Sequence, residues 1–232
     1  MRLNGVNTVV FDLDGTLCYY SVSIKEAMEQ TLRLGGQPSN LVGDLDQAAA
    51  RYDALWEEEE RTHDAGRSLR ERIWGRLLGE HGVDEPLLAH TLSDVYTRIR
   101  VPSIRLFDGA RELLVGLKRR YRLGLLTNGP ADMQREKIDA LKIGTLFDAV
   151  VVSGEVGLYK PDVRVFQYLL EQLRVPPHQA LYVGDSYAMD VVGAKEAGMC
   201  MAWIRRGQST NSGDVTPDLE LQDVGELREI LL

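Results

Sequence analysis

Nine residues, Val9-Val10-Phe11-Asp12-Leu13-Asp14-Gly15-Thr16-Leu17, constrain this chain more than any other stretch. With Val6, the run Val9, Val10 and Phe11 is apolar and rich in β-branched residues, the composition of a central parallel strand. Two carboxylates, Asp12 and Asp14, appear one residue apart where that strand must stop. Gly15 then permits a tight reversal of the backbone. In open α/β sheets the ligand crevice lies just outside the carboxyl ends of the strands, so the acidic pair sits where chemistry is usually found. Both side chains point to one side only if the chain stays extended there. Two like charges so close push one pKa up unless a cation or a basic side chain intervenes. The bland alternative is an acidic turn after an edge strand, but turn acids normally follow less apolar strands.

Past Leu17 the periodicity turns helical. Helices are expected over 22–34 (Ile24, Ala27, Met28, Leu32), 45–61 (Ala48, Tyr52, Leu55, Trp56), 68–81 (Leu69, Ile73, Trp74, Leu77) and 86–98 (Leu88, Leu92, Val95, Tyr96). Gly35-Gly36-Gln37-Pro38 closes the first of them. Nothing in this part reads as a set of strands. Residues 18–104 are therefore expected to form an all-helical inserted domain, long enough to bury a small core of its own. From 105 to 232 strands and helices alternate, with strands at 122–127, 149–152, 180–183, 199–204 and an edge strand at 218–221. That rhythm implies a parallel sheet covered on both faces. The fold class is thus α/β, a Rossmann-like core made of 1–17 and 105–232.

Bulk properties narrow the function classes. The net charge of −8 argues against a general binder of nucleic acid or anionic membranes. No run of 18 apolar residues offers a membrane span, and no signal peptide is read before the first strand. Two cysteines, Cys18 and Cys200, make neither a disulfide framework nor a zinc signature, which fits a reduced, cytoplasmic setting. Cys18 reads as a small apolar filler. Monomer and homodimer are equally compatible with the sequence.

The later strands also end in polar clusters. Thr127-Asn128-Gly129 offers a hydroxyl, an amide and approachable backbone N–H groups, a neutral anion cradle. Lys160 precedes Pro161 at a helix entrance, where the macrodipole favours anions rather than cations, so a bound anion explains it better than a surface position does. Gly184-Asp185-Ser186 ends another strand, and Asp190 follows on the next helix. Asp12, Asp14, Asp185 and Asp190 then converge with a single lysine. A hard divalent cation resolves that conflict, and Mg²⁺ prefers a few carboxylates, a carbonyl, water and a phosphate oxygen.

The order FDLDGTL, LLTNG, GLYKPD, GDSYAMD resembles the haloacid dehalogenase-like superfamily of hydrolases, and the helical insertion between the first two motifs resembles that superfamily's helical cap. The resemblance implies a Mg²⁺-dependent phosphatase acting on a small phosphorylated metabolite. It makes Asp12 the nucleophile that forms an aspartyl-phosphate and Asp14 the acid that protonates the leaving alkoxide and then activates water. Asp12, the backbone carbonyl of Asp14, and Asp185 would bind Mg²⁺, with Asp190 supporting them. Thr127, Asn128 and Lys160 would hold the phosphoryl oxygens. Dehalogenating relatives lack an acid at the position of Asp14. Sugar-phosphate mutases share it, so a mutase stays open, as does an idle binding protein with the same fold. No nucleic acid or membrane partner is implied.

The remaining polar residues get plain readings. His63, His81, His90 and His178 lack metal-ligand spacing. Trp56 and Trp74 are expected to pack the helical core. The Glu57–Glu60 run is expected to be solvated. Lys118, Arg119 and Arg120 suit a helix C-terminus. Arg205 and Arg206 start a polar loop, 205–216, that is expected to be mobile.

Overall fold

The computed structural model describes residues 3, 5–60, 68–206 and 213–232. His63 and the middle of the 205–216 loop lie outside the described residues. Two compact units result: Met1–Tyr19 with Arg105–Leu232, and Tyr20–Ile104.

The first unit is built on β1 (Thr8–Phe11), buried at every residue. Around it lie β4 (Arg122–Thr127), β5 (Ala149–Val152), β6 (Ala180–Gly184), β7 (Cys200–Ile204) and β8 (Leu219–Leu221). They form one sheet of order β5-β4-β1-β6-β7-β8, parallel at every described pairing. The expected α/β core is present, and β1 lies inside the sheet, which removes the edge-strand alternative. Val10 faces a core shared with Phe166, Leu169, Leu170 and Leu173 of α8 (Val163–Leu173) and with Tyr182 and Trp203. Its neighbours Val9 and Phe11 must face the other way, by the two-residue period of a strand. There α5 (Ala110–Leu117) packs with α10 (Leu227–Leu231).

Three local details depart from the sequence reading. Short strands β2 (Cys18–Tyr20) and β3 (Ile104–Leu106) pair with each other where the chain leaves and re-enters this unit. At three residues each they are too short for alternation to register. A one-turn helix, α7 (Ser153–Val156), follows β5. The helix expected to carry Asp190 opens instead as a π-turn over Tyr187–Val191 before α9 (Val192–Glu196). In that turn the N–H groups of Asp190 and Val191 both donate to Ser186 O, at 2.8 and 3.2 Å. Turns of this kind concentrate at functional sites.

The second unit holds α1 (Ile24–Leu34), α2 (Leu45–Glu60), α3 (Leu69–Glu80) and α4 (Pro86–Arg100). Ser23 and Glu26 form a capping box at the start of α1, and Ser68 caps α3. Met28, Leu32, Leu55, Ile73, Leu77 and Leu92 are buried. Trp74 is fully buried in an aromatic cluster with Tyr52 and Tyr96, and Trp56 stacks at its margin beside Tyr52. No helix among the described residues is long and apolar enough to cross a membrane.

Candidate active site

The parallel register decides which residues meet. Phe11 aligns with Leu125 on one side and Val183 on the other. Asp12 continues the ladder one residue further, its N–H donating to Val183 O at 2.9 Å. The carboxyl ends of β1, β4 and β6 therefore deliver Asp12, Thr127 and Asp185 to one rim, and the π-turn after β6 delivers Asp190. Asp12, Asp185 and Asp190 each place a carboxylate oxygen within 4.8 Å of the others. Gly15 makes this approach possible. Its φ is +77°, and a Cβ there would collide with the Asp185 carboxylate.

Lys160 is buried among these acids. Its ammonium donates to Asp12 Oδ1 at 2.7 Å, to Asp190 Oδ1 at 2.7 Å and to the Tyr182 hydroxyl at 3.1 Å. Burial alone would strip its proton, but Asp12 and Asp190 outweigh it and hold the ammonium charged. Asp190 also accepts from Ser186 N at 3.0 Å. Thr16 reaches Asp185 Oδ1 at 3.4 Å, and Trp203 Nε1 donates to Asp185 O at 2.9 Å.

Asn128 is used differently from the expectation. Its carboxamide oxygen accepts from Lys160 N at 2.9 Å and from Ser153 Oγ at 2.7 Å, and its amide donates to Lys160 O at 3.1 Å. The side chain is thus committed to the backbone of Lys160. It sets where the lysine emerges. Thr127 is buried beside it, its hydroxyl 3.3 Å from Asn128 O.

Asp14 stands slightly apart, its side chain 40% exposed. Lys137 Nζ donates to both its oxygens, at 2.9 and 2.7 Å, and Gln134 Nε2 to Oδ2 at 3.0 Å. Desolvation opposes ionisation of Asp14, but the charge and hydrogen bonds of Lys137, with Gln134, hold its carboxyl below the usual carboxylate range. Cys18 is buried against Asp14, and burial followed by the Asp14 charge pushes its thiol up, away from the thiolate form a nucleophile needs.

The electrostatics leave a deficit. Asp12, Asp185 and Asp190 face the Lys160 ammonium, with a weaker pull on Asp185 from the Arg206 guanidinium. Burial first, then the neighbouring carboxylates, push Asp12 up to about 8 against the opposing pull of Lys160. Burial and Asp190 push Asp185 up to about 6. Three convergent oxygen donors short of positive charge fit a hard divalent cation, which takes carboxylate and carbonyl oxygens.

A family model described as haloacid dehalogenase-like hydrolase matches residues 6–198. The chain belongs to this family. Its relatives include phosphatases. It is 39% identical over 165 residues to a phosphoserine phosphatase of Thermus thermophilus, a stretch covering 71% of this chain and 64% of that protein. It is 30% identical over 232 residues to a glyceraldehyde 3-phosphate phosphatase of Methanopyrus kandleri, covering 97% of each. Among solved structures, a 2-haloacid dehalogenase from Pseudomonas syringae aligns with a TM-score of 0.72 at 26% identity, covering 97% of this chain and 98% of that one.

In this haloacid dehalogenase-like hydrolase of the phosphatase branch, four residues at the site escape a reading of the sequence: Gln134, Lys137, Ser153 and Tyr182. Gln134 and Lys137 lie three apart on α6 (Ala131–Leu141), hence on one face, directly after the Thr127-Asn128-Gly129 turn. That spacing is the available signal. Of the two loop arginines, Arg205 pairs with Glu220 at 2.6 Å. Arg206 lies over the Phe107 ring and donates to Thr16 O at 3.0 Å, next to the loop after β1.

Proposed function

We propose that this hydrolase is a magnesium-dependent phosphomonoesterase that hydrolyses a small phosphorylated metabolite through an aspartyl-phosphate on Asp12. The fold does not choose the chemistry, since a dehalogenase shares it. Asp14 carries the reading. A displaced halide needs no proton, whereas a displaced alkoxide does, and this chain holds a second carboxylate two residues after the first, anchored at both oxygens by Lys137.

In the first step an Asp12 oxygen bonds to phosphorus, the bond from phosphorus to the ester oxygen breaks, and the leaving oxygen takes a proton from Asp14, which must first pick that proton up from solvent because Lys137 and Gln134 keep the free carboxyl ionised. In the second, Asp14 takes a proton from water, whose oxygen bonds to phosphorus and releases phosphate and the Asp12 carboxylate. Lys160 and the Thr127 loop hold the equatorial oxygens. In a loose transition state such positioning and charge neutralisation supply most of the acceleration. Asp12, Asp185 and the backbone carbonyl of Asp14 would hold Mg²⁺, with Asp190 behind them, and the ion would add the positive charge that the buried acids lack. Choice of the leaving group falls to the helical unit, in the role of a cap. Phosphoserine and glyceraldehyde 3-phosphate are the first substrates to assay, and a cytoplasmic setting suits the free cysteines.

The test is release of p-nitrophenol from p-nitrophenyl phosphate with Mg²⁺ and with EDTA. Turnover should require the metal and vanish in Asp12→Asn. Pure protein that releases no phosphate with Mg²⁺, or an Asp12→Asn variant as active as the parent, would end this reading.

A further inference from the structure

The Asp14 side chain is 40% exposed, yet two buried side chains converge on it. Lys137 and Gln134 are 4% and 3% exposed. Burying an ammonium and a carboxamide costs free energy, and an ion pair in such a place supports a fold little better than well-packed apolar side chains would. Other buried residues of α6, Met133, Ile138 and Leu141, are apolar. The two polar residues are therefore poorly explained as packing.

The Gln134 carboxamide strengthens the case. Its NH₂ group donates to Asp14 Oδ2 and to Asn128 O. Its Oε1 is buried without a hydrogen-bond partner, and an unpaired buried acceptor is destabilising. Flipping the amide would set that oxygen against the Asp14 carboxylate and the Asn128 carbonyl. Gly129 makes the arrangement possible, since a Cβ there would lie 2.6 Å from Gln134 Nε2. The amide thus ties the acid to the loop that ends β4, and Lys137, one turn further along the same helix, fixes both oxygens of the acid.

We infer that Gln134 and Lys137 are positioning residues for Asp14: they fix its carboxylate in the place from which it exchanges a proton with the leaving oxygen. α6 thereby aligns the acid and the Thr127 loop through one rigid element. The assignment rests on the acid–base role proposed above for Asp14.

A good leaving group departs without the proton and a poor one does not, so the two residues should matter in proportion to leaving-group basicity. The full chain with Mg²⁺ is assayed on phenyl phosphate and p-nitrophenyl phosphate, which differ little in shape. The parameter kcat/KM reports the steps up to loss of the phenol. In Lys137→Met, which leaves Asp14 accessible to water rather than stranding a charge, kcat/KM for phenyl phosphate should fall on the order of 10²-fold and that for p-nitrophenyl phosphate by less than about fivefold. Gln134→Met should show the same pattern at about tenfold on phenyl phosphate. Melting temperatures near that of the parent accompany this result. Equal losses on the two esters, no loss on either, or two variants that fail to fold would overturn the assignment. A parent protein that hydrolyses neither ester overturns the phosphatase reading and this assignment with it, whereas equal losses in an active parent overturn this assignment alone.

Discussion

The Lys160 ammonium lies 2.7 Å from Asp190 Oδ1, with both side chains almost wholly buried, and it reaches Asp12 at the same distance. One cation thus holds a strand-tip acid and a π-turn acid together. Lys160→Met leaves two facing buried carboxylates, and breaking a buried pair from one side costs about 3–5 kcal/mol. Urea unfolding of the metal-free variant should show a loss of that order, together with loss of phosphatase turnover. Asp190→Asn should be milder, about 1–3 kcal/mol, because the ammonium keeps Asp12. A Lys160→Met protein as stable as the parent would mean that the acids do not depend on the lysine.

Gly15 offers a separable prediction. Any side chain there meets both a left-handed backbone and the Asp185 carboxylate. Gly109 has a similar φ, +74°, but a Cβ there would meet nothing within 4 Å, so it shares only the backbone cost. Each Gly→Ala change should destabilise by about 1–2 kcal/mol through the backbone. Only Gly15→Ala should also cost activity and Mg²⁺ affinity, by displacing Asp185. Thermal melts with and without Mg²⁺ distinguish them: the Mg²⁺-induced rise in Tm should survive in Gly109→Ala and shrink in Gly15→Ala.

The strand tips are legible in the sequence because each pairs an apolar run with a polar stop, and parallel strands bring such stops to one rim. Lys160 is legible because a cation is out of place at a helix entrance. Asn128 reads as an anion contact, yet its side chain spans the Lys160 backbone, a tertiary use that a local turn signal does not reveal. Gln134 and Lys137 are hidden for a different reason. In Gln134-Arg135-Glu136-Lys137 all four residues are polar, which reads as a solvent face. Only the placement of α6 beside the first strand's loop turns two of them inward.

Glu59 should give the helical unit an acid-sensitive stability. It is buried, against the expectation of a solvated acidic run, and it accepts from Arg72 Nε at 2.9 Å and Arg76 Nη1 at 2.9 Å. Burial opposes its ionisation, but the two guanidinium groups outweigh that and depress its pKa below the ordinary 4.5. A depressed carboxylate pKa means that the unfolded chain binds the proton more readily, so the stabilisation is complete above 4.5 and is lost as pH falls through the native value. Glu59→Gln should therefore destabilise by about 1–3 kcal/mol at pH 7. The gap between the parent and variant urea midpoints should close below pH 4.5. A gap constant across that range would show that the loss is steric rather than electrostatic.

His90 should behave with the opposite sign. Its Nδ1 lies 3.2 Å from Glu71 Oε2 and its Nε2 3.8 Å from Asp94 Oδ2. The hydrogen bond to Glu71, then the charge of Asp94, raise its pKa above 6.5. A raised histidine pKa stabilises the folded form when the imidazole is charged, so this contribution is complete below 6.5 and disappears as pH rises through the native value. The ring is well exposed, and solvent screening keeps the energy small, so the shift itself is the better readout. Proton NMR titration should place the His90 ring protons above 6.5 in the parent. Glu71→Gln should lower that midpoint, and 0.5 M salt should lower it in the parent, because surface charges are screened over a few ångströms at that ionic strength. A His90 midpoint at 6.5 or below in the parent would show that neither carboxylate holds the ring in solution.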